Sequence, residues 1–331
     1  MKFNKQINYS LELLRFLLCF WVVIHHCYRY SYIFRKGLFP VPTFMIISFY
    51  FYYNTLNKKD IIKIKQRFQR ILIPFIIWPI FLLIFNNILF KLFEFYLYNK
   101  KLLLNDLVVQ LIIGQRYHNI FYYQFNLIFL TLLFTIISFL FNIRFVFISQ
   151  ILLIIAYIFQ YSYLNIYIFN KYSKDIKVPL GNFFELLPFA VMGVILRHLD
   201  INSLLRQFKG LSIIYIGIIL FLILKFDVFV RIAGFFYSGI LYNVGGICIF
   251  ILFSLFSIQN KKLISLLKII TKFTGGIYYI HIISFNILKC KFSFIKNNTL
   301  HGSVALYIIS YIICYFGNKL SYKTKFKFLF N

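Results

Sequence analysis

Acidic residues are scarce in this sequence: its 331 residues include only 8 Asp and Glu, against 36 Lys and Arg. Charged residues of both signs make up 13% of the chain, whereas hydrophobic residues make up 61% and aromatic ones 22%. A soluble domain of this length needs far more polar side chains to cover its surface, so this composition excludes the soluble classes. Apolar stretches of about 20 residues recur and alternating strand patterns do not, which predicts an all-α, polytopic membrane protein.

Cysteine is also rare, and its spacing excludes two common uses of the thiol. The five cysteines form no C-x-x-C pair and lie in or beside apolar stretches: Cys19, Cys27, Cys248, Cys290 and Cys314. We interpret them as small buried hydrophobic residues and expect no disulfide framework. The histidines lack metal-ligand spacing, so we expect no metal cofactor either.

The net charge of +28 comes mainly from basic residues in the joints between the apolar stretches. In a soluble protein this charge would suggest nucleic acid. Here anionic lipid headgroups explain it, so we expect membrane lipid as a partner and no nucleic acid. Lys and Arg are somewhat more frequent in one set of alternate joints, which favours both termini in the cytoplasm.

The apolar pattern predicts a single membrane-embedded domain over residues 1–331, with about ten transmembrane helices. The predicted spans are residues 10–30, 39–56, 71–92, 118–141, 144–164, 180–198, 211–228, 236–258, 271–289 and 301–319. Between the third and fourth spans, an amphipathic segment at 102–115 is predicted to lie at the membrane interface.

The first span, which contains LELLRFLLCFWVVIHH, carries ionisable residues inside an apolar run. Charges in hydrocarbon are costly, so such residues indicate function. Arg15 and His26 are about three helical turns apart and share a face, with Glu12 one turn before Arg15 and His25 about 100° away. We expect this face to line the bundle interior, with Glu12 paired to Arg15.

The basic joint NKKDIIKIKQRFQR, at 57–70, places Arg67 and Arg70 one helical turn apart. Two guanidinium groups at this spacing can converge on a phosphate or diphosphate. The alternative is a stop-transfer cluster at the headgroup level, because basic runs flank most spans. Two further histidines are candidates for a cavity: His118 at the edge of the fourth span and His281 deeper in the ninth.

Several of these segments resemble motifs of the membrane-bound acyltransferase-3 family, in the family's order from residue 8 to about 320. Arg15 and His26 match its basic residue, ten intervening residues and histidine. RFQRILIP is similar to its R-x-x-R motif, YYQFNLIFLTLLF to its aromatic signature in the fourth span, and GGIYYIHII to its signature in the ninth. Phe49 departs from the pattern, since it replaces a glycine of the second span, and Phe121 and Tyr122 stand where the family has tryptophan.

The resemblance implies transfer of an acyl group, usually acetyl, from cytoplasmic acyl-CoA to a hydroxyl of a cell-envelope glycan or its lipid-linked precursor. It implies acetyl-CoA as donor substrate and the inner (cytoplasmic) cell membrane as location. Histidine suits general-base work near neutral pH. The candidate site residues are the proposed base His26 with its competitor His25, their neighbours Arg15 and Glu12, Arg67 and Arg70 for acyl-CoA, and the cavity candidates Ser48, His118, Tyr122 and His281.

Two other functions fit a basic, aromatic-rich polytopic chain. A glycolipid transporter or flippase would share the buried charges and the cavity, but would not bind acyl-CoA saturably. A membrane glycan polymerase or ligase generally carries a large outer loop, and the longest predicted outer joint is short. The sequence leaves open the acceptor sugar, the oligomeric state, the side of the membrane where transfer occurs, and the choice between His25 and His26.

Overall fold

A computed structural model describes residues 8–27, 40–93, 102–114, 121–141, 144–161, 174–200, 205, 207–226, 240–288, 300–321 and 329–330. These residues form twelve helices and no strand, which confirms the all-α prediction. The helices are α1 (Tyr9–Cys27), α2 (Pro40–Asn57), α3 (Ile61–Phe93), α4 (Leu104–Ile113), α5 (Phe121–Phe141), α6 (Phe145–Tyr161), α7 (Lys174–His198), α8 (Lys209–Phe226), α9 (Ile240–Leu255), α10 (Lys261–Ile270), α11 (Thr274–Leu288) and α12 (Leu300–Ser321).

Each of the ten predicted spans coincides with one of these helices, and α4 coincides with the predicted interfacial segment. By length and apolar composition, α1, α3, α5 and α12 can each cross a membrane. The pair α10 and α11, bent by 48°, is a fifth candidate. The count of ten spans, the cytoplasmic termini and the single domain stay predictions.

Helix α3 extends beyond its predicted span and helix α10 was not predicted, and a polar cap explains where each begins. Helix α3 begins at Ile61, inside the basic joint, because Asp60 caps it: the Lys63 backbone N–H donates to Asp60 Oδ1 at 3.1 Å, and the Lys63 ammonium bonds Oδ2. These hydrogen bonds hold the pKa of Asp60 below its usual value. Helix α10 begins after Asn260, whose side chain accepts from two backbone N–H groups at 3.0 and 3.1 Å.

Two apolar clusters form most of the described core. One joins α2, α5, α6, α7 and α9 around side chains such as Ile46 and Phe49, with one face of α1. The other joins the remainder of α1 to α3, α11 and α12 around side chains such as Ile277 and Leu306. Helices α1 and α5 contribute to both clusters. Each of these two helices is therefore packed against one cluster on one side and the other cluster on the other.

Two helices approach each other closely at Gly193, where α7 packs along α2. A Cβ atom at this position would lie 2.5 Å from the carbonyl oxygen of Ile46 and 2.9 Å from the backbone nitrogen of Tyr50. Small residues let membrane helices bring their backbones together, which increases van der Waals contact. This contact holds α2, and with it Ser48 and Phe49, against α7.

We expect Gly193→Ala to lower the thermal unfolding midpoint in detergent, because the added methyl group forces α2 and α7 apart. Overpacking of this kind costs about 1–3 kcal/mol. The matched control is Gly217→Ala on α8, where a Cβ atom would meet nothing within 4 Å. Alanine is favoured over glycine there by roughly 0.5–1 kcal/mol. Equal midpoints for the two variants would contradict the close approach at Gly193.

Candidate active site

A cavity of about 410 Å³ lies between α1, α2, α3, α5 and α11. Ligand pockets typically measure about 300–1,000 Å³, so a small molecule or part of a larger one fits here. The polar side chains that line it are Arg15, Ser48, Arg67, Arg70, Tyr123, Gln124, Thr274, Tyr278 and Tyr279. Three of them are guanidinium groups and, in the part of the chain that the structure describes, none is acidic. The cavity is therefore suited to an anionic ligand.

Helix α3 contributes two prolines, and Pro74 lines the cavity. Proline has no N–H, so the carbonyl of Arg70 loses its usual helical partner, and the helix backbone is locally open to other donors. Gln124 of α5 uses this region: its Nε2 donates to the carbonyl oxygen of Ile71 at 2.6 Å. A carbonyl can only accept, so this bond fixes which end of the Gln124 amide is nitrogen.

The other end of the Gln124 amide is its oxygen, Oε1, and Gln124 lines the cavity. Gln124 Oε1 is buried and finds no hydrogen-bond partner among the described residues. Buried acceptors are nearly always satisfied, by protein, water or ligand. A small shift of the wall would make this oxygen an acceptor for a ligand N–H or O–H in the cavity.

Arg67 is held by protein groups on two sides. Its Nη2 donates to Ser48 Oγ at 2.8 Å, its Nη1 to the Ser48 carbonyl at 3.4 Å, and its Nε to Thr131 Oγ1 at 3.2 Å. The guanidinium also lies over the Tyr52 ring, 4.1 Å from its centre. These contacts tie α3 to α2 and α5 and occupy most of the donors of Arg67.

Phe49 packs against the guanidinium group of Arg67. Its ring is fully buried, lies 5.3 Å from the Arg67 guanidinium and packs 5.0 Å from Phe134. Phe49 is not among the residues that line the cavity. Phe49 therefore affects the cavity through Arg67, while Gly193 of α7 provides a close approach of backbones at the same place.

Arg70 and Arg15 present the other two guanidinium groups. Arg70 is exposed, and we find no bonding partner for it in the described ranges. Arg15 donates to both oxygens of Glu12, at 3.0 and 3.1 Å, so the expected pairing is present. Glu12 offsets one of the three positive charges, and a net positive charge remains at this end of the bundle.

His26 does not line this cavity. It lies about 16 Å along the α1 axis from Arg15, at 1.5 Å rise per residue. Its ring centre lies 5.3 Å from that of His281 and 5.6 Å from that of His25. His281 in turn lies 6.2 Å from Tyr278, which does line the cavity. The structure thus connects His26 to the cavity through side chains of α11.

The remaining cavity candidates have different positions. Ser48 lines the cavity, whereas Tyr122 and His281 are not among the lining residues. Next to Tyr122, Tyr123 takes a place in the wall, with its ring centre 5.8 Å from that of Tyr278. His118 lies outside the described residues.

Sequence reasoning missed Gln124, Tyr123, Thr274 and Tyr278. Gln124 and Tyr123 lie inside YYQFNLIF, a segment whose resemblance rests on its aromatic residues. A glutamine in an apolar span is itself a signal, because lipid offers its amide no partner. Thr274 and Tyr278 lie one turn apart at the start of α11, and a small, polar start of a span is a weaker signal.

The fold and the cavity define a multi-pass helical membrane protein with an arginine-lined internal site. A family model described as an acyltransferase domain, Acyl_transf_3, matches residues 8–318. Because the match covers nearly the whole chain, the protein belongs to the acyltransferase-3 family and is a membrane acyltransferase. Comparisons with curated proteins and with solved structures found no significant match.

Proposed function

We propose that this acyltransferase moves an acetyl group from acetyl-CoA to a hydroxyl of a cell-envelope glycan or its lipid-linked precursor. The observation that carries the proposal is the meeting of Arg70 and Arg15 in one cavity that no described acidic side chain lines. Coenzyme A carries several phosphate charges, and guanidinium groups bind phosphate through paired, charge-assisted hydrogen bonds. Its pantetheine arm carries amide N–H groups, which the unpaired Gln124 Oε1 can accept.

The proposed reaction needs no reactant other than acetyl-CoA and the acceptor hydroxyl. The acceptor hydroxyl oxygen attacks the thioester carbonyl carbon, the new C–O bond forms, and the C–S bond breaks. His26, the proposed base, takes the hydroxyl proton, and the departing thiolate receives a proton in return. The net products are the acetyl ester and free coenzyme A.

The distance between Arg15 and His26 supports a division of the site into two ends. The phosphates of the donor bind where Arg70 and Arg15 lie, which is the cytoplasmic end under the predicted topology. The thioester reaches past Tyr278 toward the histidines, and the glycan hydroxyl arrives from the opposite side. The enzyme then works in the inner (cytoplasmic) cell membrane, between cytoplasmic acetyl-CoA and an envelope acceptor.

We expect the surface glycans of cells that carry the gene to differ by one acetyl group from those of cells that lack it, as measured by mass spectrometry. The difference should return on complementation with the wild-type chain. The purified protein in detergent should also bind radiolabelled acetyl-CoA saturably. Identical glycan masses together with no saturable binding would favour a transporter over the proposed enzyme.

A further inference from the structure

His281 of α11 is held in one tautomer by the backbone. Its Nδ1 lies 3.0 Å from the carbonyl oxygen of Ile277, one turn earlier. A carbonyl oxygen can only accept, so Nδ1 carries the proton and, in the neutral ring, Nε2 is an acceptor. The tautomer of His281 therefore follows from its neighbour.

The Nε2 atom of His281 is completely buried and has no hydrogen-bond partner among the described residues. The whole side chain is 0% exposed. Leaving a buried acceptor without a partner is energetically unfavourable. Ile277 and Ile280 of the same helix belong to a buried apolar cluster, and the Nε2 lone pair has no donor in the described part of the chain. Such a cost persists where a donor arrives during function.

Among the described histidine and tyrosine side chains with a ring contact to His281, His26 is the nearest, at 5.3 Å between ring centres and with a tilt of 42° between the planes. It comes from a different helix, α1, which packs directly against α11: Cys19 Sγ contacts the Thr274 carbonyl at 3.5 Å. His26 is half-buried, whereas His281 is fully buried. At this separation of the rings, a change in the side-chain torsions of His26 can bring one of its ring N–H groups toward Nε2.

We propose that His281 is a positioning residue, which accepts an N–H from His26 before the acceptor binds and so turns the other nitrogen of His26 toward the site of the acceptor hydroxyl. A histidine whose N–H is donated to an acceptor is a better base at its second nitrogen, as in metal and catalytic sites where a second group orients the ring. This role rests on the acyl transfer proposed above. His281 touches neither donor nor acceptor and acts through His26.

The test compares two substitutions at His281. His281→Leu removes the acceptor, and we expect the rate constant kcat to fall about 10²-fold or more while the KM for acetyl-CoA stays unchanged. His281→Gln keeps an acceptor oxygen near the position of Nε2 and should retain activity within about tenfold of wild type. Gel filtration in detergent checks that each variant is folded, and His281→Met replaces His281→Leu if the latter aggregates.

Ser284→Ala is the matched control. Ser284 lies one turn further along α11, is also buried, and its hydroxyl likewise has no partner in the described part of the chain. Its loss should leave kcat unchanged. Equal losses in the leucine and glutamine variants, or an equal loss in Ser284→Ala, would overturn the positioning role.

A second measurement needs no acyl transfer and so separates this inference from the proposed function. Diethyl pyrocarbonate reacts with neutral imidazole nitrogens, and mass spectrometry gives its rate at His26. We expect His26 to react several-fold more slowly in His281→Leu than in wild type, with His281→Gln close to wild type. Equal rates in all three would overturn the His26–His281 bond. If the three proteins show the expected reaction rates but the wild-type protein transfers no acetyl group, the proposed function is overturned and the His26–His281 bond stands.

Discussion

Replacement of His26 by alanine should abolish acyl transfer while the protein remains folded in the membrane. A positioned general base contributes about 10²–10⁴-fold to rate, so the expected loss is of that size. His26 shares a helix face with Arg15, which lines the cavity, and it contacts His281 across the interface of α1 and α11. The measurement is the initial rate of transfer from radiolabelled acetyl-CoA to isolated glycan acceptor, with protein amounts matched by gel filtration.

His25→Ala is the matched comparison, because the two histidines are adjacent and their rings lie 5.6 Å apart. Successive residues on a helix point about 100° apart, so His25 faces a different direction from His26. We expect His25→Ala to lower the rate much less than His26→Ala. The reverse order would make His25 the base, and full activity in His26→Ala would remove His26 from the mechanism.

Most of the fold could be predicted because apolar runs of membrane length are a strong signal, and each predicted span coincides with a helix. The ends of helices were less predictable. Helix α3 begins at Ile61, although the apolar run begins near residue 71, because helix formation continues through basic residues that reach the headgroups. The amphipathic α10 was missed for the same reason: its lysines lower the mean hydropathy of the segment, although they are part of a helix.

The candidate site was predictable only where charge stands out against lipid. Arg15, Arg67 and Arg70 were all identified from sequence, and all three line one cavity. Their different bonding was not predictable, since the bonds of Arg67 go to Ser48 and Thr131 on two other helices. Such partners depend on how α2, α3 and α5 pack, and no spacing along a single chain segment contains that information.

Arg70→Ala should weaken acetyl-CoA binding without unfolding the protein. A hydrogen bond to a charged group contributes about 1.5–3 kcal/mol, which corresponds to roughly a ten- to hundredfold rise in Kd. Arg70 is exposed at the cavity and lacks a described protein partner, so its donors are available to phosphate. Equilibrium binding of radiolabelled acetyl-CoA in detergent measures the effect, and the wild-type Kd should rise with salt as expected for phosphate contacts.

Two further variants separate Arg70 from its neighbours. Lys65→Ala removes one positive charge from an exposed site on α3 that does not line the cavity, and it should leave the Kd unchanged. Arg67→Ala leaves Ser48 and Thr131 without their donor, so its main effect should be a lower unfolding midpoint, at a cost of about 1–3 kcal/mol. If Arg70→Ala binds as wild type does, the basic joint serves membrane topology alone. The expected result is a raised Kd with an unchanged unfolding midpoint in Arg70→Ala, and a lowered midpoint with a smaller change of Kd in Arg67→Ala. This result would show that the two arginines of one helical turn have separate roles. Arg70 would bind the donor, and Arg67 would hold the cavity wall in place.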